Sequence, residues 1–194
     1  MVRPFTPHRV LDTRVSARGF TLVEAMIVVA IVGVLGTLAA YGVRKYIYSA
    51  KSGEALEMLR AIKAAQETYR AETFAYLDVS GVGNVTDLTR FQPTSDPGRV
   101  KYNWGGRIGG VADRWRVLNV ETPQPVQFTY GCAAGDGRGA PALPGITIAG
   151  WPTAAAGEPW YVARAVGDLD GDDVNSNYVS GSFSAEIFND VEGE

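Results

Sequence analysis

The chain has 194 residues, with 18 basic and 21 acidic side chains and a formal net charge of −3. Its only histidine is His8 and its only cysteine is Cys132. This excludes an internal disulfide, a CxxC motif and, beyond residue 8, any Ser-His-Asp, Cys-His or histidine-bearing zinc site. The length allows one modest domain plus a long helix, and the acidic balance gives no electrostatic reason to expect nucleic-acid binding.

The first element is a basic arm, with Arg3, Arg9, Arg14 and Arg18 set against Asp12. Next comes Arg18-Gly19-Phe20-Thr21-Leu22-Val23-Glu24, and residues 25–43 then form 19 positions without a charge. That run is long enough for a membrane-spanning helix. An ordinary signal peptide places its small-residue cleavage site after the apolar core. Here the small-residue junction, Gly19-Phe20, precedes it, so a cut there removes the basic arm and leaves the apolar segment on the product. The positive arm marks the cytoplasmic side. An acid inside lipid costs roughly 2.5–3.5 kcal/mol at a helix centre and less near an interface. Glu24 is therefore expected to face a partner or an interface.

Residues 19–33, Gly-Phe-Thr-Leu-Val-Glu-Ala-Met-Ile-Val-Val-Ala-Ile-Val-Gly, resemble the prepilin signature of type IV pilins and type II secretion pseudopilins. The resemblance implies a prepilin peptidase that cuts between Gly19 and Phe20 and N-methylates Phe20. It implies that Glu24 meets the N-terminal amine of a neighbouring subunit in a filament, and a buried charge does strongly favour pairing. It also implies an inner-membrane platform protein and an assembly ATPase as partners. Removal of residues 1–19 takes four arginines and one aspartate and leaves 175 residues of net charge −6.

Residues 20–73 read as one helix, roughly 80 Å long at 1.5 Å per residue. Its first part, 20–43, is apolar nearly all round, as a membrane span or filament core requires. Its second part, 44–73, is an amphipathic spine, with Leu56, Leu59, Ile62, Ala65 and Tyr69 recurring at three- and four-residue steps. Residues 74–194 read as a β-rich head. The region 74–99 carries little regular pattern. Strands are expected at 100–104, 115–120, 126–130, 160–166 and 179–188. The last has Phe183, Ala185 and Ile187 on one face. Residues 131–159 read as loop, with a short strand at 146–148, and Gly105-Gly106-Arg107-Ile108-Gly109-Gly110 as a hairpin loop rather than a phosphate cradle, since it lacks the GK[ST] ending. A helix spine followed by an antiparallel meander is an α+β roll. The aromatic residues Tyr102, Trp104, Trp115, Phe128, Tyr130, Trp160 and Tyr161 are expected in the sheet core or at its rim, and Cys132 as a small buried apolar residue.

Between the last two expected strands lies Asp168-Leu169-Asp170-Gly171-Asp172-Asp173-Val174-Asn175-Ser176. Asp168, Asp170 and Asp172 alternate, with Asn175 and Ser176 close behind, and hard oxygens at one, three and five open a calcium loop. Asp173 stands at the sharp-turn glycine position and Val179 at position twelve, so the EF-hand match is incomplete. Two readings stand side by side, a Ca²⁺ site and a solvated acidic turn.

The expected function is a structural subunit of a type IV pilus, inserted in the inner membrane with its head in the periplasm. It then polymerises with itself into a helical surface filament for adhesion, twitching motility or DNA uptake. A type II secretion pseudopilin or minor pilin is the alternative within the class. An anchored periplasmic enzyme or ligand-binding domain is the alternative outside it, although no catalytic constellation is visible.

Overall fold

The computed structural model describes residues 19–106, 109–138, 148, 150–152 and 157–190. Thr21 starts the first helix: its hydroxyl accepts the Glu24 N–H at 3.2 Å, and Glu24 Oε2 accepts the Thr21 N–H at 3.3 Å. This reciprocal capping box satisfies donors that a helix start otherwise leaves open. Helix α1 then runs Leu22–Thr73 and stops where Phe74 takes the left-handed φ of 62°. The described residues divide after Gly42 into two units.

In the first unit every described side chain is exposed, including Phe20, Leu22, Val29 and Leu38. Among the described residues, α1 is the one helix long and apolar enough to cross a membrane by length and composition.

In the second unit α1 buries Ser52, Ala55, Leu59, Ile62 and Gln66, a stripe at alternating three- and four-residue steps. The stripe read from hydrophobicity is thus turned slightly: Leu56, Ala65 and Tyr69 lie on its flanks, partly buried. Two polar residues can occupy the stripe because both are satisfied there. Ser52 Oγ accepts the Tyr178 hydroxyl at 2.8 Å, and Gln66 pairs with the backbone of Leu77.

The sheet is an antiparallel meander in the order β1-β2-β3-β4: Thr129–Gly135, Trp160–Gly167, Ser176–Gly181 and Ile187–Asn189. Cys132 pairs with Ala163, Ala165 with Tyr178, and Val179 with Phe188. Alternation sends Tyr130, Cys132, Tyr161, Ala163, Ala165 and Tyr178 into the core containing Ala55, Leu59 and Ile62. Ala133, Trp160, Val162, Val166 and Val179 go to a second core closed by Val85, Phe91 and Ile148. The patternless region after α1 therefore covers the far face of the sheet, and the architecture is the expected α+β.

Several expected strands are corrected. At 100–104 there is one bridge, Tyr102 to Val126, followed by a 3-10 turn, Trp104–Gly106. At 115–120 there is no strand: residues 115–117 end α2, Val111–Val117, and a turn follows at 118–119. The strand formers Trp115, Val117 and Val120 misled, because burial follows the helical step Ala112, Trp115, Leu118. The strand expected at 126–130 begins later and continues through Gly135, into residues read as loop. The stretch 179–188 is two strands separated by a turn, so Phe183 leaves the alternation and packs edge-on against Trp151. The expected hairpin loop at 105–110 instead leads from the 3-10 turn to α2, with Arg107 and Ile108 outside the described residues. Of the strand expected at 146–148 only Ile148 is described; it is buried and not in a strand. The strand read at 160–166 stands as β2.

Candidate functional site

The N-terminal motif is built by the capping box. Gly19 and Phe20 precede the first helical turn and are exposed, Phe20 by 80%. Glu24 Oε2 also accepts the Thr21 hydroxyl at 3.2 Å, and the Ala25 N–H closes the first turn on the Thr21 carbonyl at 3.1 Å. The Thr-x-x-Glu spacing thus holds the carboxylate beside the backbone of Thr21, one residue from the Gly19-Phe20 junction.

The acidic loop joins β2 to β3. Asp168 is buried; its Oδ1 accepts the Gly171 N–H at 2.6 Å and its Oδ2 the Asp173 N–H at 3.3 Å. Asp172 Oδ1 accepts the Val174 N–H at 2.8 Å. Oxygens of Asp168, Asp170 and Asp172 all lie within 4.8 Å of one another. Asp170 Oδ1 is buried and, among the described residues, has no hydrogen-bond partner. Asp173, which replaces the expected glycine, has φ 67°, and aspartate is one of the few side chains that visit this region routinely. Asn175 turns its carbonyl to Asn177 Nδ2 at 3.0 Å, and Ser176 is the first, buried residue of β3. Val179, inside β3, offers no oxygen side chain to a loop ligand set. Three of the five expected ligands are therefore gathered, and an orphaned buried oxygen among hard carboxylates suits a divalent cation.

Residues 14–40 match the family described as Prokaryotic N-terminal methylation motif. Over 61 residues the chain is 43% identical to the type IV major pilin protein PilA of Myxococcus xanthus (strain DK1622). That stretch covers 31% of this chain and 28% of the relative, little more than a quarter of its length. Over 98 residues it is 41% identical to the type II secretion system core protein G of Pseudomonas aeruginosa, covering 50% of this chain and 67% of that protein. The chain belongs to the type IV pilin and type II secretion pseudopilin family. No solved structure matches it.

In this pilin-family chain the pairing that ties the head to the helix was not visible in the sequence. Glu54 Oε1 accepts the Gln127 N–H at 2.7 Å and the Phe128 N–H at 3.4 Å, while Oε2 meets Lys101 Nζ at 3.3 Å. Arg164, in the middle of β2, is buried; its Nε and Nη2 donate to Asn177 Oδ1 at 3.0 and 2.6 Å, and its Nη1 to the Val85 carbonyl at 3.0 Å. Burial lowers its pKa to about 10, with the Asp190 charge opposing that shift. Periodicity marks Arg164 only as one polar residue in an apolar strand, and its partners lie far off in the chain.

Proposed function

We propose that this chain is the structural subunit of a type IV pilus, acting by assembly and not by turnover. A prepilin peptidase cuts between Gly19 and Phe20 and methylates the new amine of Phe20. Residues 20–43 hold the product in the inner membrane with the head in the periplasm, and a platform protein and assembly ATPase feed it into a helical surface filament. The observation that carries this reading is the run 22–43: it is uncharged except for Glu24, and every side chain in it is exposed. So much bare apolar surface is stable only in lipid or against copies of itself. A head-to-tail contact that does not close gives an open filament.

Glu24 sets the register by pairing with the Phe20 amine of a neighbour. In Glu24→Val the chain is expected to insert and lose its leader normally, while its recovery in sheared filaments falls about a hundredfold, since an unpaired buried charge costs roughly 3–5 kcal/mol. Immunoblots of membrane and sheared fractions measure both. Full filament yield from this variant would end the pairing argument.

A second reading, a type II secretion pseudopilin, has its own support. The match to core protein G spans 98 residues, more than the 52 of α1, so it reaches beyond the helix. Deleting the chain in its host separates the two: loss of surface filaments belongs to the pilus, and loss of protein secretion with filaments intact belongs to the pseudopilin.

The acidic loop has a role in this scheme as a calcium site. Asp168, Asp170 and Asp172 would hold the ion, which would relieve the repulsion among their carboxylates and fasten the β2–β3 connection.

A further inference from the structure

A second group of charges lies beside the acidic loop, and the assembly scheme does not use it. Arg44, Lys51 and Arg99 line one open cleft of about 440 Å³ with Ile47, Tyr48 and Asp170. Arg44 and Lys51 come from α1, while Arg99 comes from the loop ahead of Tyr102. Lys51 Nζ donates to the Leu169 carbonyl at 3.3 Å and lies 5.6 Å from the Tyr48 ring centre. The stem of Arg99 crosses Gly171, where a Cβ would sit 2.5 Å from Arg99 Cδ. Among the described residues, no carboxylate lies within 4.0 Å of any of these three cationic groups. Three cations thus face one carboxylate in the cleft, that of Asp170. Burial and the neighbouring charges of Arg99 and Lys101 lower the Lys51 pKa, against Glu54, which raises it. Arg99 and Lys101 repel the Lys51 charge, and an anion in the cleft would offset that repulsion.

Chain position says which anion. Arg44 directly follows Val43, the last residue of the uncharged run. Wherever that run leaves the hydrocarbon, Arg44 is at the exit, and the middle of the cleft, at Ile47 and Tyr48, is roughly 5 Å further along the helix. The headgroup layer of one leaflet is about 5–8 Å deep. Tyr41 and Tyr46 are exposed by 71% and 76%, and tyrosine gathers at this level of a bilayer. We infer that the cleft of Arg44, Lys51 and Arg99 binds the phosphate of an anionic phospholipid headgroup while the subunit waits in the membrane. Arg44 and Lys51 reach the phosphate from α1, and Arg99 reaches it from the loop ahead of Tyr102. Entry into a filament withdraws the subunit from that lipid, so the headgroup contact opposes extraction until assembly replaces it.

The inference rests on the membrane insertion proposed above, and the test separates the two. The full mature chain is reconstituted in vesicles of equal phosphatidylcholine and phosphatidylglycerol and floated on a density gradient. It is then released for native mass spectrometry, which counts the lipids retained. Wild type is expected to co-float and to keep phosphatidylglycerol over phosphatidylcholine. The preference should fall about fivefold in Arg99→Gln and in Lys51→Gln, the worth of one surface cation. Arg99→Lys should keep it. Lys45→Gln removes an equal charge at the same level without lining the cleft, and should leave it nearly unchanged. Failure to co-float would remove the membrane reading and the lipid site together. Co-flotation with equal retention of both lipids would overturn the site alone, as would a loss in Lys45→Gln equal to that in Arg99→Gln. Millimolar inorganic phosphate that abolishes the preference would assign the cleft to a soluble anion instead. If Arg99→Gln left lipid retention intact but weakened cross-linking between subunits, the partner would be an acidic protein surface, and the lipid assignment would fall.

Discussion

Gln66 sits in the middle of the buried stripe of α1 and behaves there as a piece of backbone. Its Nε2 donates to the Leu77 carbonyl at 2.8 Å and its Oε1 accepts the Leu77 N–H at 2.9 Å, the two bonds a neighbouring strand would make. The same Nε2 lies 3.1 Å from Cys132 Sγ, whose pKa burial pushes up to about 12. The thiol is thus a fully buried, neutral part of the core, as its small apolar character implies. Gln66→Leu keeps the volume and leaves the Leu77 N–H and C=O unpaired. It should destabilise the fold by about 2–4 kcal/mol, at roughly 1–3 kcal/mol for each orphaned group. Urea unfolding followed by tryptophan fluorescence measures it, and a loss under about 0.5 kcal/mol, the range of an ordinary surface change, would show that water serves Leu77 instead. Hydrophobic pattern could not find this residue, because a glutamine at a core position counts against the stripe until its long-range partner is known.

At the scale of elements, legibility followed the strength of the local signal. β2 was readable because Trp160, Tyr161, Val162 and Val166 are strand formers buried on both faces. Its partner β1 was not, since Gly131, Cys132, Ala133, Ala134 and Gly135 have little strand preference of their own. Their smallness is nevertheless required by what lies above them. A Cβ on Gly131 would stand 2.5 Å from Phe91 Cε2, and Phe91 is itself fully buried in the second core. Gly131→Ala should therefore cost about 1–3 kcal/mol as overpacking, although alanine suits a strand no worse than glycine. Phe91→Leu should recover part of the loss in the double variant, a coupling that a double-mutant cycle in urea reads directly. Strict additivity of the two changes would show that the strain lies elsewhere. The α2 segment was misread for the converse reason. Trp115, Val117 and Val120 favour strands locally, but Trp115 packs from the helix, where its ring meets that of Trp104 edge to face at 5.5 Å.

For the molecule as a whole, a single buried cysteine leaves the head without a covalent staple. Packing on both faces of the sheet supplies most of its cohesion, and the weak point is the β2–β3 connection, where three carboxylates converge at one end of the ladder. Their mutual repulsion is relieved if a divalent cation sits among them, and the stabilisation is then the binding free energy of the ion to the folded state alone. At a free ion concentration about a hundred times the dissociation constant this is about 2.7 kcal/mol. At about 2–4 °C per kcal/mol for a domain of this size, the Tm should rise by roughly 5–10 °C. The experiment is a melt of the full mature chain in neutral detergent, with excess chelator and then with millimolar Ca²⁺. Asp170→Asn should remove the shift, because it takes one charge and one carboxylate oxygen from the trio while leaving the Asp168 and Asp172 turns intact. Magnesium should do less, since a site of converging carboxylates on a flexible loop suits the larger ion with its looser coordination. An unchanged Tm at millimolar Ca²⁺, or an equal rise in Asp170→Asn, would leave the loop as a solvated turn. The head would then rest on its two cores alone.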